Sequence, residues 1–140
     1  MITAAILIKL TTDTQGLTLD QNAFWEEAPL QRDGTPAQGV WLVTRGGNQT
    51  TGRGTNQLTT MDFYVAFKDK TKTEKTIQTI SEWIRSNQTI CELSGTVGDS
   101  RYNFTNIRIR PATTPTNYGA TENGLIVKMA SAQVYYDINQ

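Results

Sequence analysis

Two carboxylates held a few ångströms apart can hydrolyse a glycosidic bond, so the acids of this chain are the first residues to weigh. They are Glu26-Glu27, Asp62, Glu92, Asp99, Glu122 and Asp137. None stands in a motif that would bring two carboxyls to one reacting atom, and they read as solvated surface acids. Cys91 and the serines have no histidine to activate them, because the chain contains none, and no lysine sits at a spacing diagnostic of Ser-Lys chemistry. Cys91 reads instead as a small core residue on a strand face. The lack of histidine also removes the commonest metal ligand, and a single cysteine excludes an intrachain disulfide. The expectation is a protein that is not an enzyme, with no cofactor and no metal.

Two further stretches have chemistry to offer. Gly46-Gly47 and Gly52-Arg53-Gly54 could cradle a phosphate, yet the segment lacks the Gly-Lys-Ser/Thr ending of a P-loop and runs into a strand. A flexible loop that makes contacts in an assembly is the alternative use. Arg101, Arg108 and Arg110, interleaved with Tyr102 and Phe104, could form a platform for single-stranded nucleic acid. Against it, thirteen basic and thirteen acidic residues leave a formal net charge of zero, and with it no long-range field toward nucleic acid or anionic lipid. The apolar run Ala4 to Leu10 lacks the basic flank and cleavage site of a signal peptide, and no stretch reaches membrane-spanning length. The sequons at Asn48, Asn87 and Asn103 are therefore read as accidents of a Thr- and Asn-rich chain, and a cytosolic product is the default.

The stretch Leu58 to Asn87 organises the rest. Met61, Phe63, Val65 and Phe67 alternate with Asp62, Tyr64 and Ala66, which predicts a strand with four large apolar side chains on one face. After Lys68-Asp69-Lys70, the sequence Thr71-Lys72-Thr73-Glu74 fits a capping box at the start of a helix. Ile77, Ile80, Trp83 and Ile84 then form an apolar stripe that the strand face would cover, worth roughly 1.5 to 3 kcal/mol per large side chain before entropy.

Around this pair the chain supplies more sheet, in one domain over residues 1–140. Met1 to Thr12 reads as a short helix stopped by Gly16, although the run Ile6-Leu7-Ile8 would also suit a buried strand. Leu17 to Gly39 is irregular, pinned to the core by Phe24-Trp25. Val40 to Thr44 reads as a strand buried on both faces. Gly46 to Gln57 is expected to be a mobile hairpin loop. Thr89 to Val97 predicts a strand with Cys91, Leu93 and Val97 inward. In Tyr102 to Arg110 the phase slips from Tyr102 and Phe104 to Ile107 and Ile109, which calls for a β-bulge near Thr105-Asn106. Pro111 to Gly124 reads as a long loop excursion. Leu125 to Ile138 closes the chain as a strand whose inward set changes from Leu125, Val127 and Met129 to Ala132, Val134, Tyr136 and Ile138.

This order of elements, with Val40–Thr44 followed by Arg45-Gly46-Gly47 and a closing Tyr135-Tyr136-Asp137-Ile138, resembles the tail terminator and minor capsid proteins of long-tailed, siphovirus-like bacteriophages. The resemblance implies an α+β subunit with its helices packed on one face of a mainly antiparallel sheet. It also implies a homo-oligomeric ring, hexameric in that family, which stops tube polymerisation and presents the tail to the head connector. The implied partners are other copies of the chain, the tail tube protein and the head connector or stopper protein, in a virion assembled in the host cytoplasm. Membrane and specific nucleic acid are not among them. Candidate assembly residues are Arg45, Asn48, Arg53, Arg108, Arg110, Tyr118, Glu122, Tyr135, Tyr136 and Asp137. Another neck or head-completion part, and a small nucleic-acid or carbohydrate binding module, are the alternatives.

Overall fold

The computed structural model describes residues 1–26, 37–49, 56–120 and 124–139, and their side chains except at 46–49, 117, 118 and 120. At its centre, strand β3 (Gln57–Phe67) feeds helix α2 (Lys70–Ser86). Met61, Phe63, Val65 and Phe67 are buried on one face of β3, and Ile77, Ile80, Trp83 and Ile84 of α2 join them in one cluster. The helix begins two residues earlier than the capping box predicts. Asp69 is the N-cap, its carboxylate accepting from the Thr71 and Lys72 amides at 2.9 and 3.3 Å. An ionised acceptor at that end also meets the positive pole of the helix. Glu74 is thereby left free to pair with Lys128 and tie α2 to the closing strand.

Helix α1 (Ile2–Asp13) buries Ile2, Thr3, Ala4, Ala5, Ile6, Leu7 and Leu10, leaving little polar surface. Such a helix belongs inside a layer, not on top of one. Strands β1 (Ala23–Trp25), β2 (Gly39–Gln49), β4 (Thr89–Val97), β5 (Ser100–Pro111), β6 (Thr116–Ala120) and β7 (Ile126–Ile138) complete a sheet ordered β1-β2-β3-β7-β5-β4, mostly antiparallel, with β1 parallel to β2. Because α1 touches β1 and β2 at one flank and β4 and β5 at the other, the sheet must curl around it. Trp83 Nε1 donates to Asp13 Oδ2 at 2.9 Å and joins the two helices. The fold is thus α+β, with both helices on one face of the sheet.

Several local expectations change. Val40 and Leu42 are fully buried under the helices, but Trp41 on the other face is only half covered, stacked on Tyr64 with ring centroids 5.7 Å apart. The strand does not end at Thr44: a register shift between Thr44 and Gly46 lets β2 continue to Gln49, paired with Gln57. β2 and β3 pair antiparallel as far as Gln49 and Gln57, which takes both ends of the expected loop Gly46 to Gln57 into strands; residues 50–55 lie outside the described residues. Phe24 is buried, as an anchor would be, whereas Trp25 is 40% exposed. Gly39 is required where it stands, since a Cβ there would run into the Asn22 carbonyl.

The phase slip in β5 is a bulge, as the pattern of apolar residues demands. Its pairing with β7 shifts between Thr105 and Arg108, and Asn106 takes a left-handed φ of 53°. Tyr102, Phe104, Ile107 and Ile109 all point inward as a result. The expected loop excursion Pro111 to Gly124 contains a strand, β6 (Thr116–Ala120), and its residues 121–123 lie outside the described residues. After Pro111 pairs with Ala132, Ala112 N–H donates to the Ser131 carbonyl and Thr113 Oγ1 accepts from Ser131 N–H, and β6 then pairs with β7 from Thr116 onward. β5 and β6 therefore share one flank of β7, separated by a wide bulge. The two apolar phases of the last strand are its two faces: Ala130, Ala132, Val134 and Tyr136 meet the helices, while Leu125 and Val127 join Ala66, Trp41 and Tyr64 on the opposite side. In β4, Ile90 is buried and Leu93 and Val97 are partly so. Cys91 is exposed, contrary to its reading as a core residue.

Candidate assembly surfaces

Both helices cover the same face of the sheet, so the other face is left to whatever its side chains can bind. Strand alternation assigns that face to Leu58, Thr60, Asp62 and Tyr64 of β3, to Met129, Ser131, Gln133 and Tyr135 of β7, and to Arg108 and Arg110 beyond the bulge of β5. Register then sets these residues in cross-strand rows, with Arg108 beside Tyr135 and Leu58, and Arg110 beside Gln133 and Thr60. The Arg108 guanidinium lies 5.5 Å from the Tyr135 ring centroid. Its Nε is buried without a hydrogen-bond partner, and its terminal nitrogen reaches Asn56 Oδ1 only at 3.5 Å. Arg110 is exposed and has no ion-pair partner among the described residues. Asp137 accepts from Asn56 N–H at 2.8 Å and from Asn106 Nδ2 at 3.4 Å, joining the start of β3 to the bulge.

One row further on, three strands are tied together. Arg45 of β2 donates to both oxygens of Asp62 through Nε at 3.2 Å and to Oδ1 through a terminal nitrogen at 2.7 Å. The same terminal nitrogen donates to Ser131 Oγ at 2.7 Å, and Ser131 Oγ–H donates to Asp62 Oδ1 at 2.5 Å. The bond to Asp62 holds the Arg45 guanidinium protonated even beyond its usual range. Asp62 is therefore a buried strand acid and not a solvated one. The trio resembles a nucleophile with its orienting groups, but an arginine is no proton acceptor and Ser131 has no exposed surface. The arrangement fixes strand register.

The ten candidate residues divide accordingly. Arg45, Arg108, Arg110, Tyr135 and Asp137 come together on or beside the helix-free face. Tyr136 faces the helices, edge-on to Phe104 with centroids 5.3 Å apart and hydrogen-bonded to Thr59 at 3.2 Å. Asn48 lies on β2 opposite Leu58, and Tyr118 on β6 at the register shift beside β7. Arg53 and Glu122 lie outside the described residues. The Asp62–Ser131 tie went unseen in the sequence, and its signal was a lone acid between Met61 and Phe63 in an apolar strand.

A second surface is the edge strand β4, nine residues long with β5 as its one neighbour among the described residues. It carries no proline or lysine, the residues that commonly guard a sheet edge. Near its end the Tyr102 ring covers Gly95, where a Cβ would stand 2.7 Å from Tyr102 Oη. Burial raises the Tyr102 hydroxyl's pKa above its usual value. Among the described residues no group of three or more His, Cys, Asp or Glu could hold a metal ion, and no helix is long and apolar enough to cross a membrane. Neither a protein-family model nor a curated protein matches the chain.

Proposed function

We propose that this protein is a tail terminator subunit of a long-tailed bacteriophage, assembling with copies of itself into a ring on the end of the tail tube. There it stops tube growth and offers a surface to the head connector. The observation that carries the reading is the one-sided build of the fold. Among the described residues both helices are spent on one face of the sheet, the other face presents Arg108 and Arg110 without ion-pair partners, and the nine-residue edge strand β4 pairs only with β5. A ring subunit needs two different patches, one for each neighbour, and a third for the tube. An uncovered sheet face, a free edge and the β4–β5 turn supply separate candidates.

Polymerising the tube protein with and without this chain tests the proposal. A terminator shortens the tubes and appears at their ends in substoichiometric amounts. Tubes of unchanged length with no bound protein would contradict it.

A second reading has a specific observation in its favour: Arg108 stacked on Tyr135, with Arg110 one row away, is a fragment of a platform for single-stranded nucleic acid. It is the weaker reading, because Tyr102 and Phe104, the aromatic members expected from the sequence, point into the core.

A further inference from the structure

The wide bulge between β5 and β6 stands away from the last turns of α2 and leaves a cleft of about 340 Å³. Ile84, Pro111, Pro115 and Ala130 give it apolar walls, and Ser81, Arg85, Thr113 and Thr114 give it polar groups. Ser81 is 8% exposed, yet its Oγ has no hydrogen-bond partner. A buried hydroxyl without a partner is unusual, and here it lines a cavity that a ligand could fill. Arg85 stands four residues further along α2, hence on the same side of the helix, exposed and without an ion-pair partner among the described residues. Among the described residues no acid lines the cleft. A hydroxyl donor and a guanidinium between apolar walls suit a carboxylate on a short apolar stem.

We propose that the cleft receives the Asp99 side chain of a neighbouring copy of this chain. Asp99 sits at the tip of the two-residue turn between β4 and β5, where Val97 pairs with Ser100 and Gly98 supplies a left-handed φ of 59°. It is exposed and has no cationic partner among the described residues, so the charge missing from the cleft is carried on a projecting tip. The two features lie at opposite ends of the twelve-residue strand β5, at most about 36 Å apart at the usual rise of an extended strand. The tip of one copy and the cleft of the next then make a head-to-tail contact, which closes into a ring when the rotation between copies allows it. The inference deepens the ring reading and rests on it, naming one of the contacts between neighbours. Asp99 would accept the Ser81 hydroxyl proton in a hydrogen bond and pair with Arg85, giving both groups a partner in the assembly.

Sedimentation velocity of the full-length chain over a range of concentrations, free and on tube ends, tests the contact. Arg85→Glu and Asp99→Arg should each weaken self-association at least tenfold, and the two changes in one chain should restore it. Ser81→Ala should weaken association while leaving the unfolding midpoint of the free subunit equal or higher, because it removes an unpartnered buried hydroxyl. If the unaltered chain assembles and the reversed charges leave assembly unchanged, or the double change fails to restore it, the contact is wrong and the ring stands. If the unaltered chain never associates, alone or on tubes, both fall.

Discussion

Asp62→Ala should loosen the sheet at its centre, since it removes the acceptor on which β2, β3 and β7 converge. Two bonded groups lose their partner. The Arg45 side chain is 54% exposed, so water replaces most of what it gained and its share is small. Ser131 has no exposed surface, and its hydroxyl loses a charged acceptor, a loss of about 1.5 to 3 kcal/mol. The remaining bond from Arg45 to Ser131 Oγ satisfies that oxygen but not its proton. The total is therefore about 1.5 to 3 kcal/mol, nearly all of it from the Ser131 hydroxyl. Ser131→Ala leaves the Arg45–Asp62 pair in place and should cost about 1 kcal/mol. With Asp62 already gone, the second change removes an orphaned donor and should cost less, giving a coupling of about 1 kcal/mol between neighbours in one network. Urea unfolding of the two single variants and the double variant measures this directly, provided the slope with denaturant is unchanged. An Asp62→Ala variant within about 0.5 kcal/mol of the parent, or strictly additive effects, would refute the three-strand tie.

Two other consequences are simpler to measure. Cys91 is exposed on β4, so a thiol reagent should modify it in the folded protein without denaturant; modification only on unfolding would restore it to the core. At Asp13, the hydrogen bond from Trp83 holds the carboxyl below its ordinary pKa, with Lys9 adding to the effect and partial burial opposing it. A carboxyl with a lower pKa when folded stabilises the fold above its unfolded value, about pH 4, and that contribution is lost as the pH falls through the folded value. Asp13→Asn keeps an acceptor for Trp83, so the stability gap between parent and variant should narrow from pH 5 toward pH 2.5. A gap independent of pH would contradict the assignment.

What the sequence makes legible is what periodicity encodes. Met61 to Phe67 and Ile77 to Ile84 bury the side chains their spacing selects, and the slip from Phe104 to Ile107 locates a bulge before any coordinates are seen. What stays hidden depends on partners remote in the chain. Thr116 to Ala120 has no alternating apolar pattern and is a strand because β7 offers it backbone pairing. Leu125 and Val127 look like a phase error until Trp41 and Tyr64, more than sixty residues earlier, are seen to cover the second face of β7. Asp69 outcompetes Thr71 as helix cap through its position at the turn from β3, which spacing alone does not weigh. The candidate residues were legible as a class, arginines and tyrosines on strands, but their division between open face and core needed the bulge and register. That is why Arg108 and Tyr135 stack together while Tyr136, the next residue along, is buried.

Imaging assembled tail tubes by electron microscopy after incubation with this protein tests the central claim most directly. The account predicts ring-shaped density at one end of each tube, containing several copies of the chain, and no decoration along the shaft. Bare tube ends at saturating protein, or binding along the whole tube, would contradict it.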